Sequence, residues 1–475
     1  MKRTLFIAII TFAASVTMSA KVVLPSLLAD NMVLQQNSDI TLWGRAEANS
    51  NVLITPSWCE AAINVVADQD GEWTAHVDTP AAGGPYSILF DDGEPVTINN
   101  IMIGEVWLCS GQSNMVMPMK GYRTQPVEGA MDYIVSAKPT CPIRICTITR
   151  KAELEEKTEC ESHWAEHTPD GVAGASAVAY FFARKIQETL DVPVGVIISA
   201  WGSSMIEAWM SKSALEPFSS EVDLSFLESG ILPGKPVHSP TLLYNGMLAP
   251  LKNYKVKGFL WYQGCNNRNN AELYSRLQPA FVGMLREMWH DETLPFYYVQ
   301  LASYKFTGKD KSEGALVREA QAKNLSEIAH SGMVVGMDCG DEGCIHPARK
   351  KPIGDRLAYL ALQKTYGMTG FDAISPMYES HRVENSKVYV KFTDSEMGVG
   401  PQGRNLKGFE LAGEDKVFHP AQARTTKDCN VIVISSEHVA DPVAVRYAFR
   451  NHSEVSVYNA FGIPASPFRT DDWQE

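Results

Sequence analysis

The sequence that decides the fold is Trp107-Leu108-Cys109-Ser110-Gly111-Gln112-Ser113-Asn114-Met115. It continues a largely apolar run, residues 101–106, that favours a buried strand, and it ends in a Gly-Gln-Ser-Asn turn. A serine between a buried strand and a helix carries its hydroxyl at the rim of a sheet, close to backbone N–H groups of the turn. Such a serine can act as a nucleophile beside donors for an oxyanion, as acyl transfer requires. The alternative is that Ser113 is only the N-cap of a helix.

The length of the chain and the pattern of its apolar residues predict several domains. With 475 residues it is too long for one hydrophobic core, and its 45% of apolar and 20% of charged residues are typical of a globular protein. Short alternating apolar runs indicate β structure near both ends, whereas strand-like and helical runs alternate between them. We predict four segments: a signal peptide at 1–20, a β-sandwich-like domain at 21–98, an α/β domain at 99–370, and a β-rich, sandwich-like region at 371–475.

Residues 1–20 have the pattern of a secretory signal. Lys2 and Arg3 precede a short apolar stretch at 5–16, and Ser19-Ala20 offers small residues for cleavage. The apolar stretch is short for a spanning helix, so a membrane anchor is the less favoured alternative. We therefore predict an exported protein, periplasmic or extracellular, with no membrane span after cleavage.

Net charge and cysteine count narrow the range of partners. The formal net charge of −13 disfavours binding to nucleic acid or to anionic membranes. The nine cysteines are an odd number, so at least one is free or intermolecular even if export allows disulfides. No C-x-x-C spacing of a zinc or redox site occurs. The disulfide pattern and the oligomeric state stay open.

The middle region predicts a parallel α/β domain. The run 192–198 is almost continuously apolar, as a strand covered on both faces is, and it follows a helical pattern at 177–190. Further buried strands are predicted at 256–262, 296–301 and 333–337, and further helices at 273–290, 315–330 and 348–362. In such a domain we expect the functional site at the carboxyl ends of the strands.

Four fragments fall at the ends of predicted strands. The first holds Ser113, and the second holds Gly202, where the lack of a side chain lets the backbone N–H approach an oxyanion. The third offers the side-chain amide of Gln263 or Asn267 as a further oxyanion donor, and the fourth holds His346 as the base for the serine. The structural alternatives are a turn glycine, amides that satisfy their own loop, and a helix-capping or core histidine.

Several common site motifs are absent. Met115 stands where a G-x-S-x-G nucleophile elbow has its second glycine, so an ordinary α/β-hydrolase is excluded. No H-E-x-x-H, P-loop or G-x-G-x-x-G sequence occurs. Zinc-protease, nucleoside-triphosphate and dinucleotide sites of these types are therefore not predicted.

The fragments also occur in a characteristic order. They read Gly-Gln-Ser-Asn-Met at 111–115, Trp-Gly-Ser-Ser at 201–204, Trp-Tyr-Gln-Gly at 261–264 and Ile-His-Pro at 345–347. In this order they resemble the sialate O-acetylesterase family of the SGNH hydrolases, and further matches extend the resemblance over nearly the whole chain. The resemblance implies an SGNH-type, flavodoxin-like three-layer parallel sheet domain, and removal of O-acetyl groups from sugars with no metal or organic cofactor.

The resemblance also implies roles for individual residues. Ser113 is the nucleophile and His346 the general base, while the N–H groups of Ser113 and Gly202 and the side chain of Gln263 form the oxyanion hole. Many SGNH enzymes carry an aspartate three residues before the histidine, where this chain has Gly343. The group that orients His346 is therefore open between a backbone carbonyl and the side chains of Asp338, Asp341 and Glu342.

The substrate is expected to be an O-acetylated carbohydrate. The family name implies sialic acids, and the alternative is a plant polysaccharide such as acetylxylan. Asn267 keeps the asparagine of the family's third motif and is a candidate substrate contact, whereas Cys265 replaces a glutamate common there. Aromatic residues at strand ends are candidates for stacking on a sugar, and arginines for binding a sialate carboxylate: Trp201, Trp209, Trp261 and Tyr262, and Arg123, Arg268 and Arg318.

Two alternatives belong to other classes. In a non-catalytic glycan-binding protein the β regions would recognise sugar and the middle domain would have lost its activity, but both Ser113 and His346 are intact. A lipase or peptidase on the same fold would act on long acyl chains or amides, and the sequence has no apolar lid segment that supports this.

Overall fold

The computed structural model describes residues 21–393 and 395–473, so the predicted signal peptide lies outside the described residues. The described chain contains a central, mostly parallel sheet with helices on both faces, and β-rich regions precede and follow it. The mixed α/β class with additional β regions is therefore as the sequence predicts. In this part of the chain no helix is both long enough and apolar enough to cross a membrane.

The region before residue 99 consists of strands around an apolar core. The strands are β1 (Val33–Gln35), β2 (Asp39–Arg45), β3 (Asn51–Pro56), β4 (Ile63–Val66), β5 (Glu72–Asp78) and β6 (Gly83–Asp91). β2 pairs with β5, and β3 pairs with β4 and β6, all in antiparallel register. Every second residue of β5 is buried, and its Trp73 meets Phe90 of β6 with 5.7 Å between ring centroids. The two sets of strands thus share one core.

One long strand, β7 (Val96–Gly111), joins this region to the central sheet. Its first part pairs with β6 and, in parallel, with β1, whereas residues 105–111 pair within the central sheet. Burial is incomplete at first and becomes continuous from Ile103 onward, because the strand passes from a sheet covered on one face to a sheet covered on both. The predicted boundary between residues 98 and 99 therefore falls inside a continuous strand and not in a linker.

The central sheet places the ends of β7 and its neighbours together. Its other strands are β8 (Ile143–Ile148), β9 (Ser162–Glu166), β10 (Val194–Ala200), β11 (Gly258–Tyr262), β12 (Phe296–Gln300) and β13 (Ser331–Val335). The spatial order is β13-β12-β11-β7-β10-β8-β9, and only β9 is antiparallel. Without the added β8 and β9, this is the 2-1-3-4-5 order of flavodoxin-like sheets, in which ligands bind where the strand order reverses. Here that point lies between β7 and β11.

Helices cover both faces of this sheet. They are α1 (Ser113–Val116), α2 (Ala130–Val135), α3 (Pro169–Gly174), α4 (Ala177–Leu190), α5 (Lys212–Leu215), α6 (Ala271–Met288), α7 (Glu313–Glu327) and α8 (Lys351–Lys364). α4 packs beside α8, and α6 packs beside α7. Trp107 of β7 contacts Phe182 of α4, whereas Trp261 of β11 contacts Phe281 of α6 on the opposite face. The result is a three-layer domain.

Short 3-10 and π-helical segments lie in the connections of the same domain. They are Ile206–Trp209, Glu216–Phe218, Ser225–Ser229, Pro236–His238, Tyr244–Leu248, Ala249–Leu251, Cys265–Asn270 and Met337–Cys339. Three of these segments follow β10, β11 and β13 and help to shape the loops at the carboxyl ends of those strands. All nine cysteines lie in the described part of the chain, and each has a free thiol.

The region after residue 370 is again built of strands. They are β14 (Tyr378–Glu384), β15 (Lys387–Phe392), β16 (Val399–Gly400), β17 (Phe409–Ala412), β18 (His419–Pro420), β19 (Gln422–Thr425), β20 (Val431–Ser435), β21 (Ala444–Tyr447), β22 (Tyr458–Asn459) and β23 (Phe468–Arg469). β14-β15-β20-β19 and β18-β17-β21-β23 form two sheets, whose side chains meet at Phe392 and Phe468.

This last region is docked on the α/β domain. Arg469 of β23 forms an ion pair of 3.0 Å with Glu319 of α7, and both side chains are largely buried. The amide of Gln300, at the end of β12, donates to the hydroxyl of Ser466 at 2.8 Å. The C-terminal strands therefore add to the core of the protein and support the loops that follow β12.

We predict that Gly111→Ala strongly destabilises the fold. Gly111 has a φ of +137°, and a Cβ there would lie 2.3 Å from the carbonyl oxygen of Tyr262. The strained conformation and the clash together cost about 3 kcal/mol or more, so the melting temperature should fall clearly. Gly174→Ala is the control, because among the described residues outside its chain neighbours and the backbone of its own helix no heavy atom lies within 4 Å of its added Cβ. Equal melting temperatures for the two variants would contradict this prediction.

Candidate active site

The structure brings Ser113 and His346 into direct contact. The distance from Ser113 Oγ to His346 Nε2 is 2.8 Å, and both side chains are half-buried. Ser113 is the first residue of α1, and the N-cap position is occupied by Gln112, whose backbone is extended. The N-cap alternative for Ser113 is therefore wrong, and its hydroxyl is available to the histidine.

Backbone and side-chain hydrogen bonds fix the turn that carries Ser113. The backbone N–H of Gln112 donates to the carbonyl oxygen of Tyr262 at 3.0 Å, at the end of β11. The side-chain oxygen of Gln112 accepts from the N–H groups of Gly264 and Cys265, at 3.1 and 2.9 Å. The N–H of Trp201 donates to the carbonyl oxygen of Gly111 at 3.0 Å. The turn is thus tied to the loops after β10 and β11.

Gln125 is the residue that contacts the other nitrogen of His346. Its side-chain oxygen lies 2.8 Å from His346 Nδ1. An amide oxygen is only an acceptor, so Nδ1 carries the proton and Nε2 is left to accept from the hydroxyl of Ser113. This is the tautomer that a general base for the serine needs. The sequence analysis did not identify Gln125, because it lies 221 residues from His346 in a loop without any motif.

The three carboxylates considered for this role have other partners. Asp338 pairs with Arg356 at 2.7 Å, and both side chains are buried. Asp341 accepts from the backbone N–H groups of Gly343 and Cys344. Glu342 lies 4.0 Å from His452. The prediction that Asp338, Asp341 or Glu342 orients His346 is therefore wrong. Gln125 contacts His346 Nδ1 instead, and no backbone carbonyl of the described residues takes this place.

Tyr122 is a second contact that the sequence analysis missed. Its ring meets the ring of His346 edge to face, with 5.2 Å between centroids, and its hydroxyl donates to the carbonyl oxygen of Ser113 at 3.0 Å. The loop of residues 121–125 thus contacts the serine and the histidine at the same time. Burial lowers the pKa of His346, and the positive charge of Lys350 lowers it further. The imidazole therefore stays neutral at lower pH than an ordinary histidine.

Two predicted oxyanion donors are placed beside the serine hydroxyl. A Cβ on Gly202 would lie 3.5 Å from the Cβ of Ser113, so the backbone of Gly202 approaches the serine closely. Within the part of the chain that the structure describes, the N–H groups of Ser113 and Gly202 donate to no other protein group. They are therefore free to bind an oxyanion.

Gln263 is not the third donor, and this prediction is corrected. Its side chain is fully buried, and its amide nitrogen donates to the carbonyl oxygen of Ser204 at 3.0 Å and to Asn267 Oδ1 at 2.7 Å. Both N–H bonds are used, so none is left for an oxyanion. The amide instead fixes the loop after β10.

Asn267 is likewise corrected from a substrate contact to a structural residue. It is 3% exposed, and its amide nitrogen donates to Glu207 at 2.9 Å. Its oxygen accepts from the backbone N–H of Ile206 at 3.1 Å. Burial raises the pKa of Glu207, which is consistent with its place inside this network. Asn267 connects the loops after β10 and β11 and does not face the serine.

Most of the candidate aromatic residues belong to the core. Trp261 is 1% exposed and packs against Phe281 and Trp209, so it is corrected from a substrate contact to a core residue. Trp209 and Tyr262 are also buried. Trp201 is partly exposed and directly precedes Gly202, so it stays a candidate for a sugar contact.

The three candidate arginines also differ in burial and in their partners. Arg318 is fully buried and donates to the carbonyl oxygen of Arg450, so it cannot reach a substrate and this prediction is corrected. Arg268 lies over the ring of Phe306 and donates to the carbonyl oxygen of Cys265. Arg123 is exposed and lies in the loop that contacts His346. Arg123 is therefore the best placed of the three arginines for an anionic substrate.

The site combines a serine, an imidazole in the tautomer of a general base, and two free N–H groups at the carboxyl ends of a parallel sheet. This combination is typical of a serine ester hydrolase. Residues 103–363 match the family described as carbohydrate esterase, sialic acid-specific acetylesterase. The chain belongs to this family and is an ester hydrolase.

Individual relatives agree with this assignment. The chain is 26% identical to a sialate O-acetylesterase from Mus musculus, with 93% of each chain covered. It is 27% identical to a sialate O-acetylesterase from Homo sapiens, with 93% of this chain and 91% of the relative covered. A solved structure of a carbohydrate acetylesterase from Xanthomonas citri is similar with a TM-score of 0.87 and 32% identity, over 95% of this chain and 100% of that chain.

We predict that Gln125→Leu lowers kcat/KM for acetyl esters by about 10- to 100-fold, because a hydrogen bond to a ring that becomes charged contributes about 1.5–3 kcal/mol. Gln125→Glu should retain more activity and raise the pKa of His346, which moves the acidic limb of the pH–rate profile to higher pH. Gln69→Leu is the matched control, because Gln69 is an exposed glutamine in the N-terminal β region and not in the loop that contacts His346. If Gln125→Leu and Gln69→Leu behave alike, Gln125 does not orient the base.

Proposed function

We propose that this protein is an exported serine O-acetylesterase of carbohydrates that acts on O-acetylated sialic acids. The observation that carries the proposal is the 2.8 Å contact between Ser113 Oγ and His346 Nε2, beside the unpaired N–H groups of Ser113 and Gly202. The SGNH assignment is supported by the order of the strands and by the four sequence motifs. Export is supported by the pattern of residues 1–20.

The proposed reaction has two steps. His346 Nε2 takes the proton of the Ser113 hydroxyl, Oγ attacks the acetyl carbonyl carbon, and the N–H groups of Ser113 and Gly202 donate to the oxyanion. The tetrahedral intermediate expels the sugar alkoxide, which receives the proton from His346, and an acetyl-enzyme remains. Water, deprotonated by His346, then attacks the acetyl carbon. The bond from this carbon to Ser113 Oγ breaks, Oγ regains its proton from His346, and acetate leaves. Gln125 keeps the proton on Nδ1 in both steps.

Sialic acids are favoured as the substrate for two reasons. The mammalian relatives are sialate O-acetylesterases, and they align over nearly the whole chain. In addition, Arg123 is exposed two residues before Gln125, where a carboxylate of the sugar can meet a positive charge. The alternative substrate is an uncharged acetylated plant polysaccharide. Such a polysaccharide offers no carboxylate that Arg123 could bind.

The first test is acetate release by the purified protein from acetylated mucin sialic acids and from acetylated xylan. We expect release from the mucin substrate, and a fall of roughly 10⁴-fold or more in Ser113→Ala, because a serine triad without its nucleophile loses nearly all covalent catalysis. Ser136→Ala, at an exposed serine outside the site, should behave as the parent. Acetate release that does not depend on Ser113 would refute the mechanism, and no release from either substrate would favour a glycan-binding protein.

A second prediction separates the two substrate classes. Arg123→Ala should raise KM for acetylated sialic acids by about five-fold, which is the upper range for an exposed ion pair, and leave KM for acetylated xylan unchanged. Arg382→Ala, at an exposed arginine of β14, is the matched control. Preferred turnover of xylan, with no effect of Arg123→Ala on either substrate, would assign the enzyme to plant polysaccharides.

A further inference from the structure

A buried lysine contacts the residue that follows Ser113. Lys350 directly precedes α8 and is 1% exposed. Its ammonium group donates to the side-chain oxygen of Asn114, which is buried as well. The amide nitrogen of Asn114 donates in turn to the carbonyl oxygen of Ile345 at 3.0 Å. The second hydrogen bond connects the residue after Ser113 with the residue before His346, and the first connects Lys350 to the same amide.

Lys350 is buried without a carboxylate partner among the residues that the structure describes. Burial lowers the pKa of Lys350 to about 7. An ammonium group in such a place lowers the stability of the fold, and an apolar side chain of similar size would avoid this cost. A costly buried charge next to a reactive serine suggests a role in the reaction.

Lys350 is the charged residue that shifts the pKa of His346. Among the described residues, the side chains in contact with the ring carry no charge: Ser113, Gln125 and Tyr122. The carboxylates of the same loop have partners of their own: Arg356 for Asp338, backbone N–H groups for Asp341 and His452 for Glu342. Burial of His346 is the larger cause of its lowered pKa, and the positive charge of Lys350 is the second cause.

We propose that Lys350 and Asn114 are positioning residues of this esterase: Asn114 fixes the Ser113 turn against the His346 loop, and the ammonium group of Lys350 keeps His346 unprotonated, and so able to act as a base, in mild acid. A positive neighbour opposes a second positive charge on the imidazole. Lys350 gains its own proton as the pH falls through about 7. Its charge is therefore present in the pH range in which an ordinary histidine becomes protonated.

The charge effect is tested by NMR titration of the ring signals of His346, assigned by their loss in His346→Gln. In Lys350→Met the midpoint should move to higher pH, because the repelling charge is gone. Lys351→Met is the matched control, since Lys351 is only partly buried and pairs with Asp355 in α8. An unchanged midpoint in Lys350→Met would overturn the proposal. Should Lys350→Met not fold, Lys350→Gln gives the same test, because it removes the charge and keeps a donor for Asn114.

Kinetics and stability separate positioning from a merely structural role. We expect Lys350→Met to reduce kcat/KM more at about pH 5.5 than at about pH 8. Its melting temperature should change little, because removal of the buried charge is opposed by the side-chain oxygen of Asn114 that loses its donor. Asn114→Ala should reduce kcat/KM by about ten-fold at both pH values through loss of the hydrogen bond to Ile345. A lower melting temperature of Lys350→Met with equal activity losses at both pH values would overturn the proposal.

The kinetic part rests on the proposed function, whereas the titration does not. If the parent protein releases no Ser113-dependent acetate, the proposed function fails. The NMR midpoint of His346 in Lys350→Met and Lys351→Met still decides whether the buried charge acts on the imidazole. Failure of one proposal is therefore distinguishable from failure of the other.

Discussion

Hydrogen bonds among buried amides at the ends of β7, β10 and β11 determine the geometry of the site. The carbonyl oxygen of Ser204 accepts from the side chains of both Gln112 and Gln263, at 3.1 and 3.0 Å. An unpaired buried amide N–H costs about 1–3 kcal/mol, so these hydrogen bonds favour the arrangement of the three loops in which the amide nitrogens are paired. In that arrangement Ser113 contacts His346, and the N–H groups of Ser113 and Gly202 donate to no group in the described part of the chain. The catalytic geometry is thus a consequence of satisfying the groups beneath it.

The fold and the main pair of the site were accessible from sequence because they follow from repeating patterns. The helix predicted at 177–190 matches α4, and the apolar run after it becomes β10, which begins at Val194 because Pro193 lacks a backbone N–H. Parallel strands end at the same edge of a sheet, so the motifs after β7, β10, β11 and β13 had to meet.

The remaining errors have one physical cause. A side-chain amide has the same appearance in sequence whether it faces a substrate or a neighbouring loop, so Gln263 and Asn267 could not be assigned without their partners. Gln125 was missed for the complementary reason: its single contact with His346 spans 221 residues and leaves no periodic or local signal. Patterns predict elements and their ends, whereas individual long-range hydrogen bonds need the folded chain.

Among the residues that the structure describes, no carboxylate bonds to the histidine of this site. Its Nδ1 donates to the neutral amide of Gln125, and the positive charge of the buried Lys350 lowers its pKa. The ammonium of Lys350 favours the neutral imidazole, whereas the amide of Gln125 favours the tautomer that leaves Nε2 able to accept the proton of Ser113. A neutral amide and a positive neighbour stabilise an imidazolium less than a carboxylate would.

The most direct test of the central claim is covalent labelling with a small organophosphonate ester, followed by intact mass spectrometry and peptide mapping. The hydroxyl of Ser113 is the activated nucleophile if the contact with His346 has the role assigned to it. The expected result is a single phosphonyl group on Ser113, formed much more slowly in His346→Ala and accompanied by loss of esterase activity. A label on another residue, or none while ester hydrolysis continues, would contradict the claim.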